Sequence, residues 1–170
     1  MQEVLSFEEF ASSRARRLFQ VGYLICGDWH QAQDLVQIAL GKLYASWGRL
    51  QRQVPESGLD AYARKVLLNS YLSQRRLRRS GELAVAELPE TAAAGDGATA
   101  ELRLTLLQAL RQLPPRNRAV VVLRYLEDHS TEAVAEMLNT SPSAVKSLNT
   151  RSLARLRELL GPDRALLFRD

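Results

Sequence analysis

Two groups of side chains in this 170-residue chain have the types and spacing to do chemistry on a polyanion. Ser143, Lys146, Ser147, Thr150 and Arg151 recur at helical spacing within residues 137–157, a stretch that holds no acid. Hydroxyls and cations on one helix face, with a second helix before a sharp turn, form the pattern of a DNA-binding helix-turn-helix. A plain helical hairpin with a solvated face shares that pattern. The second group lies in residues 61–81, where Arg64, Lys65, Arg75, Arg76, Arg78 and Arg79 occur without a single acid. Tyr62 and Tyr71 sit among them. Cations neutralise phosphates and aromatic rings stack on unpaired bases, which together suit single-stranded nucleic acid. The same residues also read as a solvated, arginine-rich helix end with core tyrosines.

Catalytic and metal chemistry find little footing. No Gly-rich phosphate loop and no Ser-His-Asp or Cys-His arrangement is recognisable. Cys26 and His30 straddle the Gly27-Asp28 break and would not share a helix face, and the other histidine is His129. A zinc site needs three or four ligands. The expectation is no enzyme, no cofactor and no metal.

The elements that must position these groups are all helical. Ser6 and Glu9 form a capping box, and Phe7, Phe10, Ala11, Leu18, Val21 and Ile25 supply an apolar face as far as Gly27. Asp28 caps a second helix, with Gln31 in the matching capping-box position. Ala32, Leu35, Val36, Leu40, Leu43 and Trp47 are its buried stripe, and Gln33, Asp34, Gln37 and Lys42 its polar face. Gly48 is expected to end it, with residues 51–58 as a surface loop. A third helix runs from about Leu59 into the arginine block. Tyr62, Val66, Leu67 and Leu68 are its buried side; Arg64, Lys65, Asn69, Gln74, Arg75 and Arg76 are its wet side.

Residues 80–100 carry four acids and no base and lack a periodic apolar face, so they read as a flexible acidic linker. Beyond it Leu102, Leu106, Leu110 and Leu113 form one helical stripe ending at Pro114-Pro115. Ala119 to Leu123 are apolar nearly all round, the mark of a central core helix. Ser130 then caps the first helix of the pair, with Val134, Ala135 and Leu138 inward. Asn139 takes the left-handed turn, and Ser141 caps the second helix with Pro142 at its first position. Val145, Leu148, Leu156 and Leu159 point inward from it. The fold class is all-α, two small helical domains joined by a linker. The boundaries expected are 1–80, 81–100 for the linker, 101–162, and 163–170 for a tail.

The net charge of +4 matters less than its division into two basic blocks around an acidic one. The acidic N-terminus MQEVLSFEEF is neither a secretory signal nor a transit peptide, and no apolar run reaches membrane-span length. A single cysteine excludes an internal disulfide framework and fits a reducing, cytoplasmic setting.

Three segments, residues 27–47 (GDWHQAQDLVQIALGKLYASW), 61–79 (AYARKVLLNSYLSQRRLRR) and 109–159, together resemble the extracytoplasmic-function class of bacterial RNA polymerase sigma factors. The likeness is greatest to the short, SigE-like actinobacterial members. It implies a sigma-2-like bundle followed by a sigma-4-like helix-turn-helix domain, in an alternative sigma factor that binds core RNA polymerase and opens specific promoters. By that resemblance Gln33, Asp34, Gln37, Ile38 and Lys42 face the β′ coiled coil of the polymerase. Asn69, Ser70 and Tyr71, at a turn after Asn69, hold a flipped base of the −10 element, while Arg64, Lys65, Arg75, Arg76, Arg78 and Arg79 grip its phosphates. Ser143, Ala144, Lys146, Ser147, Thr150 and Arg151 read the −35 duplex. Arg118, Arg124 and Arg155 either hold phosphates or simply lie on the solvent face. The implied partners are core polymerase, through its β′ coiled coil and β flap, and promoter DNA in duplex and single-stranded form; an anti-sigma factor is a further one the resemblance admits. Departures at Asn139-Thr140 and Ser143-Ala144, where the family has Gly and a small residue and then Gly-Thr, leave the −35 sequence unassigned. The alternative is a conventional helix-turn-helix regulator without sigma activity, which has no need of a single-strand face.

Overall fold

A reciprocal cap opens α1 (Phe7–Cys26): the Ser6 hydroxyl accepts from the Glu9 N–H, and the Glu9 carboxylate accepts from the Ser6 N–H. The bond from the Ser6 backbone holds the Glu9 carboxyl below its ordinary pKa. At the other end Gly27 closes the helix at φ 75°, donating to Tyr23 O at 2.8 Å. A Cβ at that φ is sterically strained, and here it would also crowd Arg111 Nε at 3.0 Å, so the position favours glycine. The structure, a computed structural model, describes residues 4–80 and 97–161. Residues 81–96 of the expected linker (81–100), residue 162 and the expected tail (163–170) lie outside the described residues, while residues 97–100, expected in the linker, are helical.

Asp28 caps α2 (Trp29–Ala45), its carboxylate accepting from Gln31 N–H at 2.9 Å. Gln31 does not complete a box; its amide turns to Gln74 instead, at 3.5 Å. Gly48 does not end this helix. The chain kinks at Ser46 and continues as α3 (Trp47–Gln53), because Trp47 and Leu50 are both buried and the exposed Gly48 meets nothing. The loop expected over 51–58 is therefore reduced to Val54 and Pro55 before α4 (Glu56–Ser80) begins. No turn follows Asn69 either. Leu67, Leu68 and Tyr71 are buried in continuous helical register, and α4 runs straight through the position where the resemblance implied a break.

The second bundle starts with α5 (Gly97–Arg111) and reverses at Pro114 into α6 (Pro115–Val121). Ala119 to Leu123 are fully buried, as a central helix requires. That helix does not stay α-helical: Val122–Leu126 form a π-helical turn, in which Glu127 N–H reaches Val122 O at 3.0 Å. Asp128 follows at φ 56°, uncommon for a non-glycine residue. Then come α7 (Thr131–Met137) and α8 (Pro142–Leu160), capped by Ser130 and Ser141 through bonds from Ala133 N–H and Ala144 N–H, each 3.1 Å. Asn139 at φ 53° makes the turn between them. The described residues are all helical or connecting, and no described helix is long and apolar enough to cross a membrane. The two bundles share one continuous core, with α1 and α4 packed against α5, α6 and α7.

Candidate nucleic-acid and partner faces

The outer face of α8 is built by a simple division of burial. Val145 and Leu156 are buried and Leu148 and Leu159 half-buried, which rolls Ser143, Lys146, Ser147, Thr150 and Arg151 outward as exposed residues, with Ala144 at their margin. Ser152 is fully buried and satisfies its hydroxyl on Leu148 O at 2.6 Å. On the inner side the Asn149 amide donates to the Tyr125 hydroxyl at 2.9 Å, pinning α8 to the π-helical turn. Thr150 Oγ1 and Arg151 Nε fold back onto the carbonyls of Lys146 and Ser147 at 3.0 and 3.3 Å. These are contacts a side chain gives up readily when a better acceptor is in reach.

On α2 the exposed face carries Gln33, Asp34, Gln37 and Lys42, and Ile38 at 37% exposure. An apolar side chain displayed among amides and an acid favours a partner surface over water. Lys42 does not only look outward: its ammonium donates to Ser70 Oγ at 3.1 Å. The two groups that the sequence assigns to different tasks are thus joined between α2 and α4.

Along α4 the expected wet side is mixed. Asn69 and Arg76 are exposed, Lys65 and Arg75 half-buried, and Ser70 is buried. The side chains of Arg78 and Arg79 lie outside the described residues. Tyr71 is only 2% exposed; burial raises its phenol above the usual pKa, with the neighbouring Arg118 guanidinium opposing that shift. Arg64 is 5% exposed and clamped onto Glu127 Oε2 by Nε at 3.1 Å and Nη2 at 2.7 Å.

Arg118 takes neither of the roles open to it from sequence. It is buried, and it donates to the carbonyls of Leu110 (2.8 Å), Leu113 (3.0 Å), Arg111 (3.3 Å) and, across to the first bundle, Ile25. Burial draws its pKa down, while Tyr71 beside it opposes the fall. Arg124 donates to His129 O at 2.8 Å, and Arg155 pairs with Glu158 on the surface at 2.9 Å. Glu127 and Arg111 were not singled out by sequence reasoning; both act between bundles, where helical periodicity carries no signal.

Cys26 is buried beneath this junction, its thiol donating to Asp28 O at 3.3 Å, and burial pushes it up to about 11 from an ordinary 9.0. At pH 8 the thiolate fraction is then about 100-fold below that of an unperturbed thiol. Alkylation of the native chain by iodoacetamide at pH 8 is expected to be at least that much slower than in denaturant, as read by mass spectrometry. Among the described residues no group of three or more His, Cys, Asp or Glu could hold a metal ion.

The arrangement of two basic helical faces with a partner-type face on α2 has relatives. Residues 10–81 match the model of Sigma-70 region 2, and residues 103–156 that of Sigma-70, region 4. The RNA polymerase sigma-E factor of Streptomyces coelicolor is 39% identical over 94% of this chain and 89% of its own length. The ECF RNA polymerase sigma factor SigE of Mycolicibacterium smegmatis is 28% identical over 91% of this chain and 62% of its own. Among solved structures, the sigma factor RpoE of Bartonella quintana, crystallised with the anti-sigma factor NepR, shares the fold. Its TM-score is 0.75 at 23% identity, over 92% of this chain and 98% of that one. Both region models in order along the chain, with a relative of that identity spanning nearly all of it, establish that the chain belongs to the extracytoplasmic-function sigma factors of bacterial RNA polymerase and directs promoter-specific transcription.

Proposed function

We propose that this sigma factor divides its work among three faces. Gln33, Asp34, Gln37, Ile38 and Lys42 on α2 dock on the β′ coiled coil of core polymerase. Asn69, Ser70 and Tyr71 on α4 receive a base of the melted −10 strand, and Arg64, Lys65, Arg75, Arg76, Arg78 and Arg79 hold its phosphates. Ser143, Ala144, Lys146, Ser147, Thr150 and Arg151 on α8 read the −35 duplex in the major groove, with the β flap as the partner of that domain. The functional units are residues 1–80 and 101–162, with 81–100 as linker and 163–170 as a tail. The chain works in the cytoplasm and contributes no catalysis; bond formation belongs to the polymerase. An anti-sigma protein is the natural inhibitor, a reading supported by the complex in which its structural neighbour was crystallised.

The observation that carries the −35 reading is the burial split along α8, which exposes Lys146 and Arg151 on an outer face with no acid before Glu158. The test is multi-round transcription with purified core polymerase on a pool of genomic fragments. New start sites sharing spaced −35 and −10 sequences support the reading, and duplex binding without initiation favours a conventional regulator. Asp34→Arg isolates the docking face. Inserting a cation at a central partner contact costs ~2 kcal/mol or more, so core affinity is expected to fall about 30-fold or further. Titration of labelled chain with core polymerase reads this, while affinity for −35 duplex should stay put.

A further inference from the structure

Between the bundles, two carboxylates answer three guanidiniums. Glu127 Oε2 accepts from Arg64 Nε and Nη2, at 3.1 and 2.7 Å, and its Oε1 lies 3.5 Å from Arg17 Nε. Asp60 pairs with Arg14 at 3.1 Å and lies 3.8 Å from Arg64 Nη1. The cluster therefore carries one positive charge in excess before any further group joins it. Its members come from α1, α4 and the end of the π-helical turn, so it ties the first bundle to the second.

His129 is placed in this cluster by its main chain. Its N–H donates to Leu123 O at 2.9 Å, and its carbonyl accepts from Arg124 at 2.8 Å. Asp128, at φ 56°, turns the chain between Glu127 and His129, and both side chains enter the cluster. Such π-helical turns recur at functional sites. The imidazole is 22% exposed, and its Nε2 stands 3.9 Å from Glu127 Oε2, too far for a hydrogen bond. That nitrogen is buried and has no partner. A neutral ring can hold a lone pair there, facing the cations. A protonated ring brings a proton to it, and the nearest carboxylate oxygen already holds two Arg64 N–H groups. Burial and the Arg64 guanidinium keep the ring below its ordinary pKa of 6.5, with Glu127 and Asp60 opposing them and Arg17 reinforcing them.

We propose that His129 is a pH sensor set in the seam between the two bundles: neutral, it lets Glu127 tie Arg64 and Arg17 together, and protonated, it adds a cation that the carboxylates already spent there cannot answer, which shifts the chain toward separated bundles. A ring harder to protonate in the closed form than in water takes up its proton more readily once the seam opens. Closure is thus at full strength above pH 6.5, weakens as pH falls through that value, and levels off below the pKa of the closed form. Each unit of depression raises the ratio of open to closed chain about tenfold. Histidine is the one side chain whose ordinary pKa puts such a change near neutrality.

The experiment uses the full chain labelled with pH-insensitive dyes at Arg52→Cys and Ala154→Cys, both exposed, for energy transfer between bundles. Cys26 is too buried to compete for label. Transfer efficiency should fall as the solution goes from about pH 7.5 to about pH 5.5, while circular dichroism stays constant. The chain has two histidines, so each can be removed in turn. His129→Gln should abolish the pH dependence and His30→Gln should leave it in place. His129→Arg, a fixed cation, should show at pH 7.5 the low transfer that the unaltered chain shows at pH 5.5. The closed-form pKa of His129, followed by NMR of the ring, should predict the shift in the open-to-closed ratio through the tenfold rule. Transfer that stays flat over this range overturns the sensor, as does a pH dependence that survives His129→Gln. Helical signal lost in step with transfer means acid unfolding of the whole chain, and that also overturns it.

Discussion

Replacing Lys146 and Arg151 together by alanine is expected to reduce transcription from this factor's own promoters by roughly 100-fold or more, with core polymerase binding unchanged. A Lys or Arg reaching a guanine edge is worth ~1–3 kcal/mol of discrimination, and separated positions add nearly independently. Both side chains project from the exposed face of α8, one turn and a residue apart, so both can enter one groove. Alanine is the best helix former, and neither residue packs in the core, so the helix itself should survive. The salt dependence of −35 duplex binding then separates the two roles. A residue on phosphate lowers the slope of log affinity against log salt by about one and weakens every sequence alike, whereas a residue on a base edge relaxes preference at one position. A double variant that keeps wild-type promoter choice and strength would remove α8 as the reader. Loss of core binding along with it would remove the division into separate faces.

Much of the framework behind that prediction was legible because it is local. The Ser6–Glu9 box, the left-handed Gly27, the caps at Asp28, Ser130 and Ser141 and the positive φ of Asn139 each depend on a few adjacent residues, and all are present. The outward roll of α8 follows from the period of Val145, Leu148 and Leu156 in the same way. Legibility failed where burial overrode a local signal. Gly48 looked like a terminator, yet Trp47 and Leu50 gain more by staying helical and buried than the glycine loses in an exposed α3. It failed completely for residues whose partners lie on the other bundle. Arg64 has the spacing of a wet-face residue, and nothing within four residues announces Glu127. Periodicity names the face of a helix, but not what the rest of the chain presses against it.

Arg118 shows the limit most sharply, and its removal carries the largest stability effect expected. Arg118→Met should lower unfolding free energy by about 3–5 kcal/mol, since each buried carbonyl left without its donor costs ~1–3 kcal/mol. The reason starts at Pro114-Pro115. In a continuing helix the carbonyls of Leu110 and Arg111 would accept from the N–H groups of residues 114 and 115, and proline has none. Leu113 N–H tightens onto Leu110 O at 3.1 Å, but the Arg111 and Leu113 carbonyls still need donors inside the protein. One guanidinium, with its fixed fork, serves all three and Ile25 O besides. Among the described residues no carboxylate balances its charge; the carbonyl ends of α1 and α5 do so instead. Methionine matches the stem and abandons four acceptors. Arg118→Lys, a single point of charge on a stem of similar length, can reach one or two of them and should recover part of the loss. Urea denaturation of the three chains measures this directly. A methionine variant within about 1 kcal/mol of the wild type would mean that water replaces the guanidinium at the junction and serves the same carbonyls in its place.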